Sequence, residues 1–287
     1  MIKRLFALFT AVLLTLCGCS TVSPEVDIAA TTMPVYEFTN ILCRGTGLSV
    51  ARLVTENMSC LHDYTLNVHQ ARVAEAAELI VISGKGLEDF MADLLDGKAV
   101  VDSSAGIPTL ECHHGHDHDH HHEEDAHIWL SPDNALLMAE NICTGLKSQY
   151  PEHADTFSSN LEKLLSDIRT IKAYGEIQLS QLFCRELVTF HDGFAYLADA
   201  FGLTILRAIE EESGSEASAQ ELKELIQLVR THQLPAIFTE QQGSGSSAGI
   251  IAAETGVKIY SLDMSMAGES WFAAMYHNID TLKEALE

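Results

Sequence analysis

Histidine is the residue whose numbers call for a chemical explanation: the chain has 14, against 17 lysines and arginines together. Eight of the fourteen fall between His113 and His127. Seven of these, His113, His114, His116, His118, His120, His121 and His122, form one tract interleaved with Asp117, Asp119, Glu123, Glu124 and Asp125. Imidazole supported by carboxylate suits borderline cations such as Zn²⁺. From His113 to Asp125 the tract has no apolar residue with which to pack, so it reads as a solvated loop. Many overlapping ligand sets compete there, which predicts weak, plural and fast metal binding. Catalysis needs fixed ligands and an open coordination position, and the HExxH spacing of helical zinc proteases is absent from the tract.

Three other histidines stand alone. His62 lies in Cys60-Leu61-His62-Asp63-Tyr64, His127 in His127-Ile128-Trp129-Leu130-Ser131-Pro132, and His191 in Phe190-His191-Asp192-Gly193-Phe194. Each sits at a strand end or a loop–helix junction. By itself, each reads first as a hydrogen-bonded structural histidine and only second as a metal ligand. Asp263, after the last β-rich run, offers an oxygen ligand or a simple helix cap.

The elements that must position these groups alternate between β-rich and helical patterns, which predicts an α/β fold with parallel sheets. Strands are expected at Ile28–Thr32, Val50–Thr55, Leu79–Ser83 and Ala99–Asp102 in the first half. The second half repeats the alternation at Leu187–Phe190, Thr204–Ile209, Ala236–Thr239 and Lys258–Leu262. Helices are expected at Val68–Glu78, Leu87–Leu95, Asp133–Tyr150, Gly193–Phe201, Ser218–His232, Ser246–Thr255 and Ser270–Leu286. Between the halves, Phe157, Leu161, Leu164, Leu165, Ile168, Ile171, Tyr174 and Ile177 keep helical spacing from about Ala154 to Gln181. That is a helix of roughly 40 Å at 1.5 Å per residue, read as a bridge between two lobes of about four strands each. Open parallel sheets bind ligands at the carboxyl ends of their strands, so two facing lobes would share one cleft.

Lys plus Arg number 17 and Asp plus Glu 41, a net charge of −24. Such a chain repels a phosphate backbone, which excludes nucleic acid as a partner. Hydrophobic residues at 47% exclude wholesale disorder. Lys3 and Arg4 precede an apolar run from Leu5 to Leu16, the pattern of a secretory signal peptide. Beyond Cys17 and Cys19 remain Cys43, Cys60, Cys112, Cys143 and Cys184, an odd number with no CxxC motif, expected mostly as buried thiols.

Taken in order, several of these motifs resemble those of the metal-binding lipoproteins of bacterial ABC importers, the cluster A-I (cluster 9) solute-binding proteins. His62-Asp63-Tyr64, then Ala77-Glu78-Leu79-Ile80-Val81 and Gly86-Leu87-Glu88, is similar to the family's first-ligand region. Ala126-His127-Ile128-Trp129-Leu130 resembles the second, and Thr189-Phe190-His191-Asp192-Gly193-Phe194 with Tyr196 and Phe201-Gly202-Leu203 the third. Ala236-Ile237-Phe238-Thr239-Glu240 and Leu262-Asp263 resemble the late strands, with Asp263 at the fourth-ligand position. The family usually has Asp-Pro before the first histidine, where this chain has Cys60-Leu61.

The resemblance implies a Zn²⁺-binding protein with His62, His127, His191 and Asp263 as ligands; Glu240, at another strand end, is a weaker candidate, to orient a ligand imidazole. The acidic His-rich insert resembles the zinc branch, and three imidazoles with one carboxylate favour Zn²⁺ over Mn²⁺. Leu16-Cys17-Gly18-Cys19 resembles a lipobox, which implies cleavage before Cys19, lipidation of Cys19 and an extracytoplasmic, membrane-anchored protein. The implied organisation is signal peptide 1–18, tether 19–26, first lobe 27–152 with loop 111–126, connecting helix 153–182 and second lobe 183–287. The implied partners are an ABC permease and its ATPase, with the chain itself a monomer and not an enzyme. Competing readings are manganese or iron as the ion, a surface zinc hydrolase, and an adhesin or metal buffer.

Overall fold

The computed structural model describes residues 26–56, 61, 64–110, 125–208, 217–241, 246–266 and 268–287. The lipobox with Cys19, His62, Cys60, Cys112 and the whole tract from His113 to His122 lie outside them. Among the described residues are two four-stranded, wholly parallel sheets. The first contains β1 (Ile28–Ala30), β2 (Val50–Arg52), β3 (Leu79–Ile82) and β4 (Ala99–Asp102), in the order β2-β1-β3-β4. The second contains β5 (Glu186–Thr189), β6 (Thr204–Ala208), β7 (Ala236–Glu240) and β8 (Lys258–Leu262), in the order β6-β5-β7-β8. Each sheet therefore places its first strand in the interior and reverses direction between its first and third strands, the topological switch point. The fully buried stretches Ile28–Ala30 and Ala236–Glu240 belong to interior strands, which explains their continuous rather than alternating burial.

The helices are α1 (Met33–Leu42), α2 (Val68–Ala76), α3 (Ala92–Leu95), α4 (Pro132–Gln149), α5 (Ala154–Gln178), α6 (Ala195–Ala200), α7 (Ala219–His232), α8 (Ser246–Thr255) and α9 (Trp271–Leu286). Local chemistry fixes several starts. Asn67 with Gln70 and Ser218 with Glu221 form reciprocal capping boxes before α2 and α7. Ser131 caps α4, with Pro132 in the first helical position. Two predicted helices are shorter than their apolar spacing suggests. Leu87–Leu95 becomes a 3-10 turn at Asp89–Met91 followed by α3, and Gly193–Phe201 becomes a 3-10 turn at Asp192–Phe194 followed by α6.

The 25-residue α5 lies between the two sheets in chain order and packs against α1, α4 and α9. Its buried face carries Phe157, Leu164, Leu165, Ile168, Ile171 and Gly175, whereas Ile177, predicted for the same stripe, is exposed. Gly175 is needed for contact: a Cβ there would lie 2.3 Å from the ring of Phe201. The main apolar core runs without a break from Ile28 and Phe38 through α4 and α5 to Phe238, Trp271 and Leu286. Polar ties reinforce the junction of the lobes. Trp129 Nε1–H donates to the Met264 carbonyl and Trp271 Nε1–H to the Trp129 carbonyl, both at 2.8 Å. Arg52 donates to the Gly268 carbonyl, Met33 N–H to the Met266 carbonyl, and Trp271 N–H to Glu37. The described thiols Cys43, Cys143 and Cys184 are free, and burial pushes that of Cys43 up to about 12. No described helix is long and apolar enough to cross a membrane.

Candidate metal centre

The carboxyl ends of the strands supply the site. His191 leaves β5 in extended conformation, and its Nδ1 accepts the N–H of Gly193 at 2.8 Å. Asp192 Oδ1 lies 3.5 Å from the same nitrogen. His127 comes from the other lobe, at the start of the 3-10 turn Ile128–Leu130 that leads into α4. Asp125 Oδ1 accepts both the backbone N–H of His127, at 2.9 Å, and its ring Nδ1–H, at 2.8 Å. A carboxylate oxygen accepts, so in the neutral ring this bond places the proton on Nδ1 and the lone pair on Nε2. The two imidazoles meet edge to face, centroids 5.1 Å apart at 88°, and Trp129 stacks edgewise on His127 at 5.4 Å.

Gly193 makes this approach possible. A Cβ there would lie 2.8 Å from Nδ1 of His127, 2.8 Å from Nδ1 of His191 and 2.5 Å from Cε of Met264. Three chain segments therefore converge on one missing side chain. Burial alone would lower the affinity of His127 for a proton. The bond to Asp125 and the charges of Asp125, Asp192 and Glu240 outweigh burial and hold its pKa above the usual imidazole value. The same negative field favours a cation.

Glu240, the last residue of β7, is buried at 5% exposure and acts on His127 through its charge. Asp263 follows β8, with its backbone N–H and carbonyl both bonded to the buried Asn278 side chain, at 2.7 and 2.8 Å. Its Oδ1 accepts the N–H of Ser265 at 2.7 Å, in a turn where Ser265 takes φ 57°. Asp263 thus stands next to Met264, whose Cε crowds the same Gly193 position as the two imidazoles, on a tightly fixed turn. Among the described residues no three His, Cys, Asp or Glu side chains close into a metal-holding group. The expected set includes His62, which lies outside those residues. Sequence reasoning passed over Asp125 by grouping it with the loop. The readable signal was an acid two residues before a histidine, Asp125-Ala126-His127.

The family model described as "ZnuA: Zinc-uptake complex component A periplasmic" matches residues 28–285. The chain belongs to that family. This ZnuA family is made up of uptake components rather than enzymes. Among curated relatives, the zinc-binding lipoprotein AdcA of Streptococcus pneumoniae R6 is 30% identical over 284 residues, covering 92% of this chain and 56% of its own length. The chain thus spans about half the length of such relatives. A crystal structure of ZnuA superposes with a TM-score of 0.80 at 28% identity, covering 92% of this chain and all of the other. The Zn(II)-bound ZnuA-like domain of Streptococcus pneumoniae AdcA gives 0.76 at 26% identity, covering 91% of this chain and 99% of that domain.

Proposed function

We propose that this chain is the extracytoplasmic zinc-binding component of an ABC importer, capturing Zn²⁺ between its lobes for delivery to a membrane permease and ATPase. The observation that carries the proposal is the pair His127 and His191, brought ring to ring from opposite lobes at the carboxyl ends of the sheets. Membership of the zinc-uptake family and the likeness to a Zn(II)-bound domain support Zn²⁺ as the ion. His62 and Asp263 complete the ligand set in this reading, giving three neutral imidazoles and a carboxylate, a donor set suited to tetrahedral zinc. The chain acts as a monomer, not as an enzyme. Cleavage before Cys19 and lipidation there anchor it, with the tether 19–26 followed by lobes 27–152 and 183–287 around helix 153–182. The histidines from His113 to His122 bind further zinc weakly and raise its local concentration.

Ligands must be deprotonated, and His127 holds its proton more firmly than a free imidazole, so zinc affinity falls as the solution is acidified. The test is zinc titration of the purified chain and of a variant lacking 113–122. One tight site should survive the deletion and vanish in the His62→Ala/His127→Ala/His191→Ala triple variant. Loss of the tight site with the loop, and its survival in the triple variant, would overturn the assignment. Metal content after purification without added metal decides zinc against manganese or iron.

A further inference from the structure

Tyr196 lies on α6, five residues after His191, and is buried with 3% exposure. Its hydroxyl donates to the backbone carbonyl of Asp125 at 2.9 Å and accepts the backbone N–H of Leu110 at 3.1 Å. Asp125 in turn receives both the backbone and the ring N–H of His127. One hydroxyl from the second lobe therefore meets both residues that flank segment 111–124, and one of those two is the acid that braces His127.

We infer that Tyr196 is a positioning residue for zinc capture: its bond to the Asp125 carbonyl keeps the Asp125 carboxylate against Nδ1 of His127. The inference rests on reading His127 as a ligand. A single carboxylate oxygen serves two donors on His127, so the Asp125 side chain meets both only when its own peptide is held in one orientation. The buried carbonyl has a fixed donor in Tyr196, and the other carboxylate oxygen, Oδ2, has no hydrogen-bond partner among the described residues. On the described residues, then, the carboxylate is held through Oδ1 and the peptide behind it. Because Tyr196 and His191 share one short stretch of chain, the second lobe supplies its own imidazole and also sets the direction of the first lobe's.

Tyr196→Phe keeps the buried ring and removes only the hydroxyl. Zinc affinity by competition with a chelator, imidazole ¹⁵N shifts of His127 in the metal-free protein, and metal-free thermal unfolding are measured together. The measurements are made in the full chain and in the variant lacking 113–122. Loss of an outer partner of a metal-bound histidine costs about 10–100-fold in affinity. The expected result is a loss of that size in both backgrounds. With it, the single Nδ1–H tautomer of His127 should give way to a tautomer mixture. The losses of Tyr196→Phe and Asp125→Asn should not add in the double variant, since both act through the same bond. An affinity within twofold of the parent, an unchanged His127 tautomer, or a loss confined to the chain that retains the loop would each overturn the inference. The last outcome would make Tyr196 a closure for the segment alone. If the parent itself binds no zinc tightly, the functional reading fails, while the metal-free ¹⁵N shifts still decide whether Tyr196 directs His127.

Discussion

The two sheets reverse direction at equivalent points, between β1 and β3 and between β5 and β7, yet the residues just beyond those points do opposite things. In the first lobe the point is sealed. Glu88, 3% exposed, accepts from the Thr31 hydroxyl at 2.6 Å and from the backbone N–H groups of Ser83 and Gly84 at 2.7 and 2.9 Å. Thr32 and Ser83 bond beside it at 2.8 Å. In the second lobe the same position presents His191 and Glu240 near the incoming His127. One copy of a repeated architecture is tied into a structural lock, and the other presents the groups of the candidate metal centre. The bracing of the two histidines differs as well. His127 donates a hydrogen bond to a carboxylate, whereas Nδ1 of His191 accepts one from a peptide N–H. In the proposed site His127 is the ligand held by a carboxylate, and His191 the one held only by a peptide N–H and a more distant Asp192.

The largest expected effect sharpens that contrast. An apparent binding energy of about 10–16 kcal/mol over four ligands gives about 2.5–4 kcal/mol each, roughly 60-fold to 700-fold in affinity. His127→Ala should lose at least that much and His191→Ala distinctly less, because the ligand braced by a carboxylate wastes less binding energy on rearrangement. Equal losses in zinc competition titrations would break the contrast.

Next in size is the lock. Burial pushes the Glu88 carboxyl up to about 7, against the opposing hydrogen bonds from Thr31, Gly84 and Ser83, while the charge of Asp102 adds to the rise. A folded-state value above the unfolded one means that the native protein holds the proton longer. Glu88 therefore contributes most below about pH 4.5, and its contribution declines as pH rises toward 7, by about 3 kcal/mol in all. In urea unfolding of metal-free protein, the stability of wild type minus that of Glu88→Gln should fall by about that much across the window. A difference that grows with pH would mean that the three donors hold Glu88 ionised and that the lock is a charge, not a neutral acid.

Most of the frame that holds these groups was legible in the sequence, because strands such as Ala99–Asp102 and Lys258–Leu262 are bounded by turn residues and α5 keeps helical spacing over many turns. Strand order was not legible, since local pattern carries no information about which neighbour an interior strand pairs with. Ile177 continued the apolar spacing of α5 but falls outside the packed region, where spacing alone cannot show that the partner surface has ended. The site was half legible. His127 and His191 could be picked out by motif, and the Asp125 brace two residues before His127 was readable in the local spacing, but Gly193 and Tyr196 act through contacts between segments far apart in sequence.

Gly193 tests whether those contacts set the affinity. Gly193→Ala puts a methyl group 2.8 Å from both imidazoles and 2.5 Å from Met264. Overpacking of this kind costs about 1–3 kcal/mol, and here it should appear both as a lower thermal midpoint and as about tenfold or greater loss of zinc affinity. A stability loss with unchanged affinity would show that the close pairing of the rings is packing and not part of the metal site.

The smallest difference expected is between the two acids that surround His127. Asp125 touches the ring, while the influence of Glu240 on it is carried by charge. Asp125→Asn should cost about 10–100-fold in zinc affinity, since an amide can turn its NH₂ toward Nδ1 and favour the wrong tautomer. Glu240→Gln removes one charge from the field and leaves that hydrogen bond in place, so its loss should be smaller. Both acids are buried, so neither loss should depend strongly on salt. Chelator-competition titration of the two variants therefore separates direct bracing from field, and a reversed ranking would make Glu240 the acid that directs His127.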